Sequence, residues 1–320
     1  MKLVFYRTKY ARMIESVRRD FPEVEIVMAQ KPDEIAAAVH GADIFVTTNS
    51  AYGPEVAELV RSHGTALRWL HFTNSGIDYA LKSGVPSGVA VTNSSSARAR
   101  SVASHAFGLL LALSRRLLES SLSRGRREWP REAMNKTVVA LENKTMLLVG
   151  LGAIGRDIAR KGKAFDMRVI GLSRAADAPF VDEIRPRERL MESMAEADVV
   201  VLATSYDATT HHMIDAAAIA VMKPTAFIVN IARGALIDEA ALIEALKAGR
   251  IGGAGLDVTE IEPPPADSAL WDLPNVVLTP HSAAGGGDEN TLIEIIHDHL
   301  RLFRAGAPFP RVVTGPNLGG

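Results

Sequence analysis

Side chains suited to acid–base chemistry and anion binding follow three successive predicted strands late in the chain. Arg233 follows the first of these strands and His281 follows the third. Asp257 and Glu262 follow the strand between them. Because parallel strands present their carboxyl ends at one edge of a sheet, we expect the guanidinium, the carboxylates and the imidazole to lie close together.

These groups suit the reversible reduction of a small 2-keto acid. A guanidinium can bind the substrate carboxylate or polarise the keto oxygen through charge-assisted hydrogen bonds. A histidine can donate a proton to the alkoxide that develops as hydride arrives, and a carboxylate beside it favours the imidazolium. Taken singly, Arg233 could be a surface ion-pair partner, His281 a loop histidine and Glu260 a solvated charge. The prediction therefore depends on their joint placement at successive strand ends.

A glycine-rich turn follows an earlier apolar strand and opens a helical segment. We assign its six residues to cofactor binding: Gly150, Leu151, Gly152, Ala153, Ile154 and Gly155. The first glycine permits a sharp turn, the second leaves room for a pyrophosphate, and the third lets the helix approach the strand. The helix N-terminus would present unpaired N–H groups to the anion. A plain strand–helix turn is the alternative, which the order strand, turn, helix disfavours.

The end of the next strand determines which dinucleotide fits. An enzyme specific for NAD places a carboxylate about 20 residues beyond the turn, where it binds the ribose 2′-hydroxyl. This chain instead has Ser173 and Arg174 there. A hydroxyl and a guanidinium suit a 2′-phosphate, so we expect NADP(H) to be preferred, with NAD(H) as the alternative. A solvated surface role is the other interpretation of Arg174.

Composition excludes several classes of function. The net charge of −1 provides no basic field for nucleic acid or anionic lipid. The absence of cysteine excludes disulfides, thiolate metal sites and a cysteine nucleophile, and it fits the cytoplasmic location that we expect. No run suggests a signal peptide or a membrane span, and the adjoining His211 and His212 do not predict a metal site, because adjacent side chains point apart on a regular element.

Strands and helices alternate along the 320 residues, and this alternation predicts an α/β fold with two doubly wound parallel sheets. Five strands are predicted before a long helix over residues 97–122 and six after it. We expect a Rossmann-like cofactor domain at residues 97–287. Residues 1–96 and 288–320 are expected to form a discontinuous, flavodoxin-like substrate domain, because the last helix would return to the first domain.

Three blocks of the sequence carry a family resemblance. The segments 230–238, 254–263 and 275–281 resemble the signatures of the D-2-hydroxyacid dehydrogenases, and the similarity extends from about residue 89 to the C-terminus. Earlier residues resemble the family in strand order and in the segment 74–78. The resemblance implies an NAD(P)-dependent enzyme that acts on the CH–OH group of a 2-hydroxy acid and that forms a homodimer through the cofactor domain.

The resemblance also assigns roles to individual residues. Arg233 would bind the substrate, His281 would be the acid/base that contacts it, and Glu262 would be the partner of His281. Glu260 would not be catalytic. Further substrate contacts are expected at Asn74 and at the backbone N–H groups of Ser75 and Gly76, and further cofactor contacts at Thr204, Thr210, Ile231 and Asp257.

Two departures and two rival functions stay open. Ser205 stands where many members have proline, and Ser104 where glutamate is common; these departures bear on substrate preference and loop conformation and not on the catalytic set. One rival is a dehydrogenase of another small anion such as formate or phosphite, which Glu262 disfavours because similar formate enzymes have glutamine there. The other rival is a dinucleotide-sensing corepressor-like binding protein.

Overall fold

The computed structural model describes residues 1–74, 76–286 and 289–314, except for the side chain of Asp78. The strands of this part of the chain are β1 (Lys2–Tyr6), β2 (Glu25–Ala29), β3 (Ile44–Thr47), β4 (Trp69–Phe72), β5 (Ala90–Asn93), β6 (Thr145–Val149), β7 (Arg168–Leu172), β8 (Glu183–Arg185), β9 (Val199–Leu202), β10 (Phe227–Asn230), β11 (Gly253–Leu256) and β12 (Val276–Leu278). The α-helices are α1 (Ala11–Asp20), α2 (Pro32–Val39), α3 (Pro54–His63), α4 (Asp78–Ser83), α5 (Ala99–Ser114), α6 (Leu117–Arg126), α7 (Arg131–Asn135), α8 (Ala153–Ala164), α9 (Leu190–Glu196), α10 (Ala216–Ala220), α11 (Glu239–Lys247) and α12 (Glu289–Ala305).

The chain divides into two units, each built around its own parallel sheet. One unit comprises Met1–Arg98 with Gly287–Gly320, and the other comprises Ala99–Gly286. The fold class predicted from the sequence, two doubly wound parallel sheets with flanking helices, is confirmed. The domain boundaries after residue 96 and before residue 288 stay a prediction. None of the described helices combines the length and the apolar character that crossing a bilayer requires.

The sheet of the first unit has the strand order β2-β1-β3-β4-β5, which is the flavodoxin-like order. Successive side chains of a strand point to opposite faces, and β1 shows this directly. Val4 and Tyr6 join the apolar cluster that also contains residues of α2 and α3, whereas Leu3 and Phe5 join the cluster with residues of α1 and α12. The C-terminal helix α12 therefore packs within the first unit.

The sheet of the second unit has seven parallel strands in the order β12-β11-β10-β9-β6-β7-β8. Strands β7 and β8 lie on one side of β6, and strands β9 to β12 lie on its other side, so the strand order reverses between β6 and β9. A doubly wound fold binds ligands in the crevice beyond the strands at such a point. Strand β6 is almost wholly apolar because both of its faces are covered. Leu147 and Val149 enter one apolar cluster, and Met146 and Leu148 enter the other.

The structure corrects two expectations about this unit. A seventh strand, β8, extends the six that the sequence predicted. The predicted helix over residues 97–122 is two helices, α5 and α6, because Arg116 adopts a left-handed conformation with φ of 54° between them. The backbone N–H of Val139 also donates to the Ser114 carbonyl where α5 ends, at 2.8 Å.

Candidate active site

The glycine-rich turn lies at the reversal point of the second sheet, between the end of β6 and the start of α8. Gly150 has φ of 104°, and a Cβ there would lie 2.7 Å from the Ala203 carbonyl oxygen. A Cβ at Gly155 would overlap the Gly150 carbonyl oxygen. A Cβ at Gly152, by contrast, would meet no protein atom within 4 Å. Gly150 and Gly155 therefore close the turn, and Gly152 faces open space. This arrangement fits a dinucleotide pyrophosphate at the N-terminus of α8.

Ser173 and Arg174 follow β7, the strand next to β6. The Ser173 N–H donates to the Arg185 carbonyl at 3.1 Å, and its hydroxyl oxygen accepts from the Ala175 N–H at 3.0 Å. Arg174 is exposed and makes no ion pair with any described residue. The neighbouring Arg185 differs, because its buried guanidinium pairs with Glu183 at 2.6 Å. Arg174 is therefore the arginine at this strand end that is available to a phosphate.

Three other predicted cofactor contacts lie around the same edge of the sheet. Thr204 adjoins the turn, since a Cβ at Gly150 would lie 2.9 Å from its Cα. Thr210 is buried, and its hydroxyl oxygen accepts from the Asp207 N–H at 2.7 Å, so it stabilises the loop after β9. Ile231 is buried in an apolar cluster. Cofactor contacts by these residues stay predictions.

The loop that carries Arg233 is shaped by the residue that ends β10. Asn230 is buried, its amide nitrogen donates to the Arg233 carbonyl at 2.9 Å, and its amide oxygen accepts from the Ala232 N–H at 3.0 Å. The Arg233 guanidinium donates to the Ala232 carbonyl at 2.7 Å. A Cβ at Gly234 would overlap the backbone of residues 259–260. The Arg233 loop thus lies directly against the loop that leads to Glu262.

His281 and Glu262 are brought together in the structure. His281 Nδ1 lies 2.7 Å from Glu262 Oε2, and the two side chains are 51% and 39% exposed. Because an ionised carboxylate only accepts hydrogen bonds, Nδ1 carries the proton of this contact. The other ring nitrogen, Nε2, is then the one that can exchange a proton with a ligand. A His–carboxylate pair of this kind is what general acid–base catalysis requires.

Asp257, which was predicted to contact the cofactor, has a structural role that the sequence did not reveal. Its side chain is 1% exposed, and its Oδ1 accepts from the Thr279 hydroxyl at 2.6 Å and from the Ser282 N–H at 2.9 Å. Its Oδ2 accepts from the Ala283 N–H at 2.9 Å. Asp257 therefore shapes the segment that carries His281. A contact between Asp257 and the cofactor stays a prediction.

The predicted substrate contacts of the first unit follow β4. The Asn74 amide oxygen accepts from the Asn49 N–H at 2.8 Å, and the Asn49 amide oxygen accepts from the Ala80 N–H at 3.0 Å. Asn74 thereby links the segments that follow β3 and β4. Gly76 lies between β4 and α4, and Ser75 lies outside the described residues. The substrate contacts assigned to these three residues stay predictions.

The expectation that His211 and His212 point apart is wrong. Their rings stack with centroids 3.9 Å apart, because His212 has a left-handed backbone with φ of 47°. His212 Nε2 lies 2.8 Å from Glu260 Oε1, so the loop after β9 contacts the loop after β11. Among the residues that the structure describes, no three His, Cys, Asp or Glu side chains form a group that could hold a metal ion.

A seven-stranded doubly wound sheet with a glycine turn at its reversal point defines a dinucleotide-binding protein, and a His–carboxylate pair at the same strand ends suits an oxidoreductase. Comparison with known proteins agrees. Residues 107–283 match the family "D-isomer specific 2-hydroxyacid dehydrogenase, NAD binding domain". The chain belongs to the D-isomer-specific 2-hydroxyacid dehydrogenase family, and is thus an oxidoreductase with a nicotinamide dinucleotide cofactor.

Similar proteins include several reductases and dehydrogenases. The glyoxylate reductase of Thermococcus gammatolerans is 38% identical over 71% of this chain and 70% of its own. The D-3-phosphoglycerate dehydrogenase of Methanocaldococcus jannaschii is 33% identical over 92% of this chain, which spans 56% of that longer relative. A D-isomer specific 2-hydroxyacid dehydrogenase family protein from Aeromonas salmonicida superposes with a TM-score of 0.84 at 28% identity, covering 98% of both chains. An acyclic imino acid reductase in complex with NADPH and D-Arg superposes with a TM-score of 0.79 at 26% identity, covering 98% of this chain and 100% of its own.

Proposed function

We propose that this chain reduces a small 2-keto acid of the glyoxylate or hydroxypyruvate type to the 2-hydroxy acid, reversibly, with NADPH as the preferred cofactor. The single observation that carries the proposal is the 2.7 Å contact between His281 Nδ1 and Glu262 Oε2, on loops that follow strands of the sheet that also carries the glycine turn. The similarity to glyoxylate reductases supports the substrate class.

The bound cofactor supplies the hydride, and residues of this chain handle charge and protons. Arg233 binds the substrate carboxylate or its keto oxygen through charge-assisted hydrogen bonds. In reduction, the His281 imidazolium gives the Nε2 proton to the substrate oxygen as negative charge develops there. Glu262 stabilises the imidazolium through Nδ1, and in the oxidative direction His281 takes the proton back.

The preference for NADPH rests on Arg174 and Ser173. Arg174 is exposed and unpaired among the described residues, and Ser173 has a hydroxyl hydrogen that it can donate. A 2′-phosphate would receive charge-assisted hydrogen bonds from both, whereas a free 2′-hydroxyl would find no carboxylate at these two positions.

We also propose a homodimer formed through the second unit. Helix α6 and the segment after it leave large apolar side chains exposed, namely Leu117, Leu118, Leu122 and Trp129, the last at 90% exposure. Large exposed apolar patches are rare on monomers, and a second copy of the chain would cover this one. Sedimentation analysis of the wild type and of Leu122→Glu tests the dimer. The cytoplasmic location expected from the sequence remains a prediction.

The proposed reaction is tested by the oxidation of NADPH with glyoxylate, hydroxypyruvate, pyruvate and phenylpyruvate, with NADH in parallel. We expect turnover with at least one 2-keto acid. His281→Ala should lose about a hundredfold or more of kcat, and Arg233→Ala should also raise KM steeply. Cofactor binding without turnover of any 2-keto acid would contradict the proposal and favour the dinucleotide-sensing binding protein.

A further inference from the structure

The segment that carries His281 is bound by polar groups on helix α5, far from it in sequence. His105 Nε2 lies 2.9 Å from Thr279 Oγ1 and 3.2 Å from Asp257 Oδ1. The Ser101 hydroxyl, one turn earlier on α5, lies 3.1 Å from the Ala283 carbonyl oxygen and 2.5 Å from the Gly285 carbonyl oxygen and can donate its hydrogen to either. Side chains four residues apart share a helix face, so one face of α5 contacts both sides of the position of His281.

The hydrogen-bond directions in this cluster follow from its chemistry. Asp257 accepts two backbone N–H groups and the Thr279 hydroxyl, so its carboxylate is ionised and can only accept. The Thr279 hydroxyl has one hydrogen and gives it to Asp257. Its oxygen must then accept from His105, so His105 carries a proton on Nε2. The donors run in one direction, from His105 to Thr279 to Asp257.

The backbone of His281 needs such support. Its φ is 49°, in the left-handed region that a residue with a Cβ occupies only when its surroundings over-determine it. The His281 N–H donates to the Asp257 carbonyl at 2.8 Å, so the residue that receives the Thr279 hydroxyl also fixes the backbone of His281. In this conformation the His281 ring meets Glu262.

We infer that His105 is a positioning residue for the acid/base pair. Its Nε2–H orders Thr279 and Asp257, and these two residues hold the His281 backbone in the conformation that places Nδ1 on Glu262. The kinetic consequence of this role rests on the proposed function, whereas its effect on the order of the 279–285 segment does not.

The test compares variants that keep or remove one donor. His105→Gln retains an N–H at a position similar to Nε2, and His105→Leu removes it. In the same way, Thr279→Ser retains the hydroxyl that donates to Asp257, and Thr279→Val removes it. His63→Leu is the control, since His63 is an exposed histidine of the first unit. All five proteins are measured as full chains by hydrogen exchange, thermal unfolding and, with NADPH, steady-state kinetics.

We expect amide exchange in residues 279–285 to be about tenfold faster in His105→Leu and Thr279→Val, and close to wild type in the other three variants. With a 2-keto acid as substrate, kcat should fall about tenfold in the same two variants while KM changes by less than about threefold, because the Arg233 loop is untouched. A merely structural role would instead lower the thermal midpoint and move kcat and KM together.

Two results would overturn the inference. One is a His105→Leu protein whose exchange in residues 279–285 matches the wild type. The other is a His105→Gln protein as impaired as His105→Leu, which would assign the effect to packing rather than to the donated hydrogen. If the wild type turns over no 2-keto acid, the proposed function fails, and the exchange comparison alone then decides the role of His105.

Discussion

Glu262→Gln removes the charge beside His281 and otherwise alters only the long contact at 3.4 Å in which Glu262 Oε1 accepts from the Thr259 N–H. Glutamine has nearly the same shape as glutamate, and its amide oxygen can still accept the Nδ1 proton across the 2.7 Å contact. The ring therefore keeps its orientation, while the imidazolium loses the negative charge that stabilises it. If His281 acts as the proton donor, reduction should slow because the protonated ring becomes less stable.

The size of the effect follows from the geometry. Opposite charges about 4 Å apart attract by about 1 kcal/mol in water and by about 4 kcal/mol near a protein surface of low effective dielectric constant. Because the two side chains are 51% and 39% exposed, their attraction should be nearer to the value in water. Taking about 1.4 kcal/mol, the loss of stabilisation corresponds to about tenfold in the rate of reduction.

The assay is the initial rate of NADPH oxidation with a 2-keto acid, measured for the wild type and for Glu262→Gln under the same conditions. The variant should reduce the 2-keto acid about tenfold more slowly, because its imidazolium lacks the adjacent carboxylate.

Glu260→Gln is a matched control, because Glu260 lies on the same loop and also contacts a histidine, His212, at 2.8 Å. We expect Glu260→Gln to retain the wild-type rate of reduction. The reasoning is refuted if Glu262→Gln shows the rate of the wild type. It is equally refuted if the two variants lose the same activity, since the charge would then act through the loop and not through His281.

Three further predictions concern the cofactor and stability. Arg174→Ala should weaken NADPH binding about tenfold and leave NADH binding unchanged, as measured by the fluorescence of the bound cofactor. Gly152→Ala should lose cofactor affinity without losing thermal stability, because its Cβ would meet no protein atom within 4 Å, whereas Gly155→Ala should lose both because its Cβ would overlap the Gly150 carbonyl oxygen. Burial lowers the pKa of His299 from its ordinary value of 6.5 to about 4. As pH falls, the unfolded chain therefore protonates His299 before the folded chain does. Up to about 3 kcal/mol of the free energy of unfolding should be lost as pH falls from about 6.5 to about 4. Urea unfolding of the wild type and of His299→Leu at several pH values measures this loss, which the variant should lack.

Long apolar strands were predicted well because burial on both faces leaves a clear pattern. Strand β6 ends directly before the glycine-rich turn and β7 ends directly before Ser173, as the sequence indicated. Strand β8 was missed because it has three residues, Glu183 to Arg185, of which one is apolar. Strand β8 lies at the edge of the sheet, where Arg185 forms ion pairs with Glu183 of the same strand and with Glu196 of α9. Such partners cannot be read from a local pattern.

Residues with an unusual backbone conformation leave little trace in the sequence. The leucine spacing through residues 97–122 continues across Arg116, so nothing in the periodicity indicates the left-handed residue that separates α5 from α6. The stacked pair His211 and His212 arises in the same way, because adjacent side chains point apart only on a regular element. In both places a non-glycine residue has a positive φ, which tertiary contacts and not residue type impose.

The contact between His281 and Glu262 was predictable because both residues follow strands of the same sheet. The residues that hold their loops were harder to find. Asn230 lies inside a signature block but was not given a role, and His105 lies 174 residues from Thr279, which it contacts. No spacing rule connects a helix residue with a loop so far along the chain.

Different residues carry the chemistry of the candidate site and fix the conformation of its loops. Glu262 and His281 are exposed enough to meet a ligand, whereas the polar residues that shape the Arg233 and His281 loops, Asn230 and Asp257, are 1% and 2% exposed. A buried polar side chain must satisfy its hydrogen bonds. Asn230 does so with the backbone of the loop that follows its own strand, and Asp257 does so with the backbone of the loop that follows the neighbouring strand, β12. The loop conformation is therefore fixed by the folding of the second unit itself. It follows that the acid–base pair should be preformed before any ligand binds.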